Sequence, residues 1–558
     1  MLISAIVLQT WNCNCKNTIF VASKAFFLQK KFILMKKTVL TMLILTLLGA
    51  ACAPKETCLT FIETTDTHGA YHEMANDASV ISRMKATLGD RLILLDNGDN
   101  LQGTPYQYCS NHDAEHPNVA ASVLNYFPYD VIGVGNHDIE AGRPVFDRLY
   151  AEVKMPVVCA NVIDESTGEP YWKPYVVLNR DGFKIAVLGL LTPYVVTWVP
   201  ERLRPGLRFE QAEAAAEHWV KLIREKEHPD LMVGLFHSGW EPMEQNLPDD
   251  SPLGRENSTK WIVENVPGFD LVFFGHDHRA KSEYVVNVAG DTVYALNSGT
   301  RGAGLAKAEV QLSKRSRPKI KVELIATDGE EVDTSFLALL RPFQERSQQY
   351  QDQQVAILPV KISPEDVDKG SCLWVDEIHR CQFEVIEQNG MHADISMAAP
   401  LSRRYSLEPG MLKVEDFFKW YPFENSLALM RMTGRDVKAH LEYSFEIRGT
   451  LYNFDGAAGI RYCIDPTKPY DERVNIISME DGSPFDLDAT YQVVMNSYRS
   501  MGGGNHFVNG CGWRQEEIAD HRIWNSDEDL RSLFIEWAHR KGILDDAPLN
   551  NWFYLSPL

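Results

Sequence analysis

Acidic residues are missing from the first 55 positions. No aspartate or glutamate precedes Glu56, whereas Lys16, Lys24, Lys30, Lys31, Lys36, Lys37 and Lys55 all occur there. A basic excess is missing from the whole chain, whose formal net charge is −21. That balance argues against a nucleic-acid polymer held on a basic surface, though a few arginines and metal ions can still hold a nucleotide phosphate. No C-x-x-C pair occurs among the ten cysteines, so a zinc ribbon is not indicated. Beyond Cys52 the chain holds an odd seven: Cys58, Cys109, Cys159, Cys372, Cys381, Cys463 and Cys511. The apolar stretch from Thr38 to Ala51 is short of the ~20 residues a spanning helix needs.

What the amino terminus does contain is an export signal. Met35-Lys36-Lys37 supplies a positive start, Thr38 to Ala51 an apolar stretch, and Cys52 follows small residues. Leu48-Gly49-Ala50-Ala51-Cys52 resembles a bacterial lipobox, with the leucine one position further from the cysteine than usual. Cys52 is thus expected to carry a lipid and to be the first mature residue. Residues 1–52 are read as the export signal, and residues 1–34 as an over-extended reading frame or a long n-region. The implied location is the bacterial cell envelope, lipid-anchored; a cleaved signal and a soluble periplasmic protein is the alternative.

A chain of 558 residues exceeds what one core supports, so two or three domains are expected. Hydrophobic content of 45% and charged content of 23% are ordinary for a globular protein.

Five polar motifs each end an apolar run. They are Asp66-Thr67-His68, Gly98-Asp99, Gly135-Asn136-His137-Asp138, His237, and Gly275-His276-Asp277-His278. The runs before them are Leu59 to Ile62, Leu92 to Leu95, Val131 to Val134, Leu231 to Phe236 and Leu271 to Phe274. Such runs read as buried strands. In open α/β sheets, sites form beyond the carboxyl ends of the strands. Carboxylate, imidazole and amide therefore converge on one edge, which is the donor set of a transition-metal site.

The order and wording of these motifs resemble the calcineurin-like metallophosphoesterases, whose motifs run D-x-H, G-D, G-N-H-[DE], H and G-H-x-H. The resemblance covers residues 59–280 and implies two divalent ions, Zn, Mn or Fe. Asp66, His68, Asp99 and His278 would hold the first. Asp99, Asn136, His237 and His276 would hold the second, with Asp99 as bridge. Two ions ~3.5–4 Å apart clamp a phosphoryl group and supply a nucleophile near neutral pH. His137 would face the substrate. Its carboxylate partner is either Asp138 or Glu140.

A second region carries its own signature. Tyr421-Pro422-Phe423-Glu424-Asn425 precedes a strand ending near Met432, and a helix with Val437, His440 and Leu441 on one face follows. Val493-Val494-Met495 leads into Asn496-Ser497-Tyr498-Arg499-Ser500-Met501-Gly502-Gly503-Gly504. These resemble the carboxy-terminal domain of bacterial 5′-nucleotidases and 2′,3′-cyclic-nucleotide 2′-phosphodiesterases. The resemblance implies that Phe423 and Tyr498 sandwich a nucleobase, with Asn425 and Arg499 as further substrate contacts. Gly504 stands where 5′-nucleotidases often carry an acid. The Tyr-Arg-x-x-Gly-Gly wording is closer to the cyclic-phosphodiesterase branch. Arg403 and Arg404 are further candidates for phosphate.

The expected fold is α/β: a four-layer α/β/β/α metallophosphoesterase sandwich followed by an α+β substrate-binding domain. The expected divisions are 55–325 for the first domain, 326–356 for a solvated linker helix (Thr334 to Val355) and 357–558 for the second. The implied reaction is hydrolysis of phosphate esters of nucleotides, of 5′-nucleotidase type. The alternatives are 2′,3′-cyclic nucleotides, nucleotide sugars, or a non-catalytic nucleotide-binding lipoprotein. The membrane is reached only through the lipid, and the sequence sets no oligomeric state.

Overall fold

A computed structural model describes residues 56–241, 253–401 and 403–556. Residues 1–52, read above as an export signal with Cys52 as the lipidated residue, lie outside the described residues. No described helix is long and apolar enough to cross a membrane.

The apolar runs are strands buried on both faces. One sheet runs, in spatial order, Ser316–Ala326, Gly304–Ser313, Glu56–Thr64, Leu92–Asp96, Val131–Ile132. A second runs Lys281–Val286, Thr292–Asn297, Leu271–Phe274, Leu231–His237, Phe183–Leu191, Tyr175–Arg180. Side chains alternate across a strand. Leu59, Phe61, Ile93 and Leu95 of the first sheet therefore meet Ile185, Val187, Val233, Leu235 and Phe273 of the second in one core between the sheets. Ile62, Leu92 and Leu94 point the other way, into a helix layer containing Met74, Ala78, Ile81, Val119 and Val123. Ala186, Leu188, Met232 and Val272 face the opposite helix layer, with Ala212, Ala216, Val220 and Ile262. Three cores between four layers are the expected α/β/β/α sandwich. Burial on both faces explains why these strands read as continuous apolar runs rather than as alternation.

The helix Thr334–Gln351 ends short of Val355, and it is not simply solvated. Phe336 and Leu340, one turn apart, are fully buried against the outer helix layer of the first sheet. The i, i+4 spacing places both on one face, and Leu337, Leu339 and Phe343 pack partly buried against the same core.

The carboxy-terminal half holds a mixed sheet in the order Gly456–Ala458, Ile395–Ala398, Thr490–Asn496, Ser426–Thr433, Arg522–Asp529. Thr433 caps the helix Gly434–Glu446 through a capping box with Asp436. Val437, His440 and Leu441 lie on its buried face, as their spacing predicts. The seven described cysteines are all free thiols.

Candidate metal centre

The strands that deliver the polar motifs run parallel, so their carboxyl ends share one edge. Asp66 and Asp99 follow neighbouring strands of the first sheet, and His237 ends a strand of the second. The turns that carry these residues are sharp. Asp66, His68, Asp99, His276 and His278 all have positive φ, between 48° and 78°. Backbone bonds hold the turns together: Asp66 N to Gly98 O at 3.0 Å and His68 N to Asp99 O at 2.9 Å. Gly98 has φ 88°, and a Cβ there would collide with the Gly135 backbone. Close approach of two turns is what both glycines permit.

Two groups of donor atoms result. In the first, His68 Nε2 and His278 Nε2 are 2.8 Å apart. Asp66 Oδ1 is 3.3 Å from His278 Nε2, and Asp99 Oδ2 is 3.7 Å from His68 Nε2. These four side chains lie within metal-binding reach of one another. In the second, Asn136 Oδ1 is 3.1 Å from His237 Nε2 and 2.8 Å from His276 Nδ1. Asp99 Oδ2 lies 3.1 Å from His237 Nε2, so one carboxylate oxygen stands between the groups.

The chemistry of this donor set fits a metal ion. Asp99 Oδ2 is buried with no hydrogen-bond partner, although burying a carboxylate oxygen without one is costly. His237 Nδ1 faces the Asn97 carbonyl at 2.7 Å, so Nδ1 carries a proton and Nε2 is the nitrogen turned toward Asp99. Burial alone would raise the Asp99 carboxyl, but His237 and His137 hold it well below the usual carboxylate range. Burial works to lower His237, yet Asp99 and Asp66 push it up to about 10. The pocket therefore demands positive charge at its centre.

His137 lies beside this centre with 30% of its side chain exposed. Its amide donates to Asp99 Oδ1 at 2.8 Å, and its Nδ1 pairs with Glu140. Of the two carboxylates left open by the sequence, the structure pairs Glu140 with the imidazole. Asp138, the other candidate, is turned away from the imidazole. It is fully buried and accepts from the amides of Asp99, Asn100, Leu101 and Gly135 and from Tyr150 Oη. It shapes the Asp99 turn and has no oxygen left for His137.

In the second domain, Phe423 is 37% and Tyr452 44% exposed, with ring centroids 6.4 Å apart. Tyr498 is half-buried, at the start of the short helix Ser497–Ser500. Two substrate candidates are turned inward. Arg499 is 1% exposed and clasps Asp455 at 2.6 and 3.1 Å, with Nη2 also donating to Tyr452 O. Burial opposes ionisation of Asp455, but Arg499 holds it well below the usual carboxylate range. Asn425 is buried, and its amide points to Tyr421 Oη at 3.4 Å. Arg403 is exposed but bidentate on Asp368, 3.0 Å to each oxygen.

Three residues near these sites were not singled out by sequence reasoning. Tyr452 neighbours Phe423. Trp198 stacks on His276, with centroids 5.5 Å apart. Glu256 Oε1 lies 3.1 Å from His276 Nε2. Trp198 alone had a signal, since it follows the carboxyl end of the strand Phe183–Leu191.

Comparison with known proteins agrees with this architecture. Residues 59–280 match the calcineurin-like phosphoesterase model, and residues 359–509 match the 5′-nucleotidase C-terminal domain model. The fold and its edge site thus define a metal-dependent phosphoric ester hydrolase. More particularly, the chain is a calcineurin-like phosphoesterase domain joined to a 5′-nucleotidase C-terminal domain. It is 24% identical to the 2′,3′-cyclic-nucleotide 2′-phosphodiesterase/3′-nucleotidase of Haemophilus influenzae, over 89% of this chain and 87% of the relative. It is likewise 24% identical to a 5′-nucleotidase of Vibrio cholerae, over 86% of this chain and 92% of the relative. The solved 5′-nucleotidase precursor of Thermus thermophilus shares the fold, with a TM-score of 0.62 and 20% identity, over 90% of this chain and all of the other.

Proposed function

We propose that the protein hydrolyses phosphate esters of nucleotides at a centre of two divalent ions. Asp66, His68, Asp99 and His278 would hold one ion, and Asp99, Asn136, His237 and His276 the other, with Zn, Mn or Fe suited to this donor set. The observation that carries the reading is Asp99 Oδ2, buried without a hydrogen-bond partner between the two groups of donors. Ions bound there supply charge neutralisation for a phosphoryl group and an activated water.

The chain's own residues do the rest. His137, paired through Nδ1 with Glu140 and partly exposed, would use Nε2 of a protonated imidazole to hydrogen-bond a phosphoryl oxygen. Phe423 and Tyr498 would hold the base by stacking, which accepts any base because each offers a π face. Asp138 would act through the backbone, by fixing the turn that presents Asp99.

A 2′,3′-cyclic nucleotide is the second reading, and the arginines favour it. Arg403 and Arg499 are both committed to carboxylates, so neither is offered to a terminal phosphate dianion. A cyclic diester carries one charge and asks less of them. The export reading places the enzyme in the cell envelope, anchored through Cys52 or soluble in the periplasm, with the domain divisions 55–325, 326–356 and 357–558.

The test is hydrolysis of AMP, 2′,3′-cAMP, bis-pNP-phosphate and pNP-phosphate by metal-loaded wild type and Asp99→Asn. Loss of the bridge should lower kcat by at least ~10³ on every substrate. Near-wild-type turnover by Asp99→Asn would remove the two-ion reading. AMP outpacing 2′,3′-cAMP would select the 5′-nucleotidase type, and the reverse the cyclic one.

A further inference from the structure

Tyr452 and Phe423 form an exposed aromatic pair. The rings meet edge to face, with centroids 6.4 Å apart and planes at 66°. We infer that Tyr452 is a specificity-determining residue, whose ring extends the base site beyond Phe423 so that purines are held better than pyrimidines. The inference rests on the nucleotide reading above and deepens it.

The Tyr452 main chain is fastened by a buried network. Tyr452 lies in the short 3-10 turn Leu451–Asn453, and Arg499 Nη2 donates to its carbonyl at 3.2 Å. Arg499 Nη1 donates to Asn453 Oδ1 at 3.3 Å and also to Gly503 O. His506 Nε2 donates to Asn453 O at 2.9 Å. Asp455 takes the Arg499 guanidinium on both oxygens and accepts from His440 Nε2 at 2.8 Å. Arg499, Asn453, Asp455, His440 and His506 are all buried. A buried ion pair adds little net stability over apolar packing. What this one supplies is a fixed position for a ring that stays exposed.

The same arginine ties Tyr452 to Tyr498. Its guanidinium carbon lies 5.5 Å from the Tyr498 ring centroid. Burial pushes the Tyr498 hydroxyl up to about 12, Arg499 opposes this and Tyr452 adds to it, so the two tyrosines are within electrostatic reach of each other. A Cβ at Gly503 would come within 2.6 Å of the Tyr498 ring, and one at Gly504 within 2.3 Å of Arg499 Nη1. These glycines leave no room for a side chain, so base discrimination on this side falls to Tyr452. A base stacked on Phe423 lies parallel to that ring and therefore meets Tyr452 edge to face, a geometry that aromatic groups favour. A purine, with two fused rings, extends further across Phe423 than a pyrimidine and reaches Tyr452 where the smaller base stops short.

The test uses nucleosides, which carry the base without a phosphate, so it does not depend on which ester is cleaved. The Kd of adenosine and of cytidine is measured by calorimetry on full-length, metal-loaded wild type, Tyr452→Phe and Tyr452→Ala. Wild type should bind adenosine more tightly. Tyr452→Ala should weaken adenosine by about 2- to 12-fold, the contribution of one aromatic contact, and cytidine less, so that the preference shrinks. Tyr452→Phe keeps the ring and should keep the preference. Both nucleosides are read on the same protein, so a general loss of structure would not by itself change their ratio. A preference absent from wild type, or unchanged in Tyr452→Ala, overturns the inference and leaves the nucleotide reading intact. A preference lost as fully in Tyr452→Phe as in Tyr452→Ala overturns the ring contact. Binding of neither nucleoside by wild type removes the nucleotide reading and this inference with it. Should Tyr452→Ala fail to fold, Tyr452→Leu, which keeps apolar bulk without a ring, decides on the same ratio.

Discussion

The Tyr108 hydroxyl, on the helix Pro105–His112 of the phosphoesterase half, donates to Asp529 Oδ2 at 2.9 Å in the carboxy-terminal half. The Arg531 guanidinium, fully buried, lies 4.6 Å above the Tyr108 ring and 3.9 Å above Phe418. Its Nη1 reaches the Pro422 carbonyl at 3.3 Å, and its Nη2 is 3.3 Å from Glu424. The loop that carries Phe423 is thus keyed to the phosphoesterase half through one arginine. Tyr108→Phe should keep the stacking and lose the hydrogen bond, at a cost of about 0.5–1.5 kcal/mol in urea unfolding. An unchanged midpoint would mean that the bond contributes nothing in solution.

Asp138→Asn should be far more damaging than its distance from substrate suggests. The new amide nitrogen would face backbone donors that Asp138 now satisfies, each worth about 1–3 kcal/mol when left unpaired in the interior. The Asp99 turn would shift, so stability and hydrolysis should fall together. Full activity at wild-type stability would show that the turn holds its shape without this carboxylate.

Phe423→Ala and Tyr498→Ala should each weaken nucleotide substrates by roughly 1–3 kcal/mol in kcat/KM, and pNP-phosphate much less. His137→Ala should impair both substrates together, because phosphoryl contact is common to them. Equal losses on both substrates in the aromatic variants would assign those rings to domain integrity instead.

Asp77 offers a pH prediction. It is buried in the helix Met74–Leu88, and neither carboxylate oxygen has a hydrogen-bond partner. Burial pushes it up to about 7, Asp328 adds to this, and Thr327 opposes it. Between its ordinary value and about 7, the folded state binds more protons than the unfolded state. Its contribution to stability is therefore complete at low pH and is lost as pH rises to about 7, a few kcal/mol by linkage. Asp77→Asn should remove that slope. Relative to wild type, the variant should gain stability from pH 5 to pH 8 in urea titrations; a constant difference would sink the prediction.

The metal-site candidates were legible because their strands are buried on both faces, so each strand end announces itself as a polar break after an apolar run. The parallel edge then brings the breaks together. Glu140 rather than Asp138 was within reach of the same reasoning, since a residue three positions on shares a helix face and the adjacent one does not. Arg499 was not legible. Its partner Asp455 lies 44 positions upstream, and nothing local distinguishes a buried, paired arginine from a phosphate contact. Glu256, in a loop, and Tyr452, in the short 3-10 turn Leu451–Asn453, are single residues whose neighbours only the folded chain supplies. The helix Thr334–Gln351 misled through its Gln and Glu content, while Phe336 and Leu340, flanked by Leu337, Leu339 and Phe343, did the packing.

Five of the twelve non-glycine residues with positive φ among the described residues are candidate metal ligands. Such conformations cost of order 1–3 kcal/mol each in residues with a Cβ. Glycine would occupy every one of these positions more comfortably and could bind nothing. The edge site is therefore where this chain and a more stable sequence part company. A descendant released from hydrolysis would be expected to drift toward glycine at these turns first, growing sturdier as it falls silent.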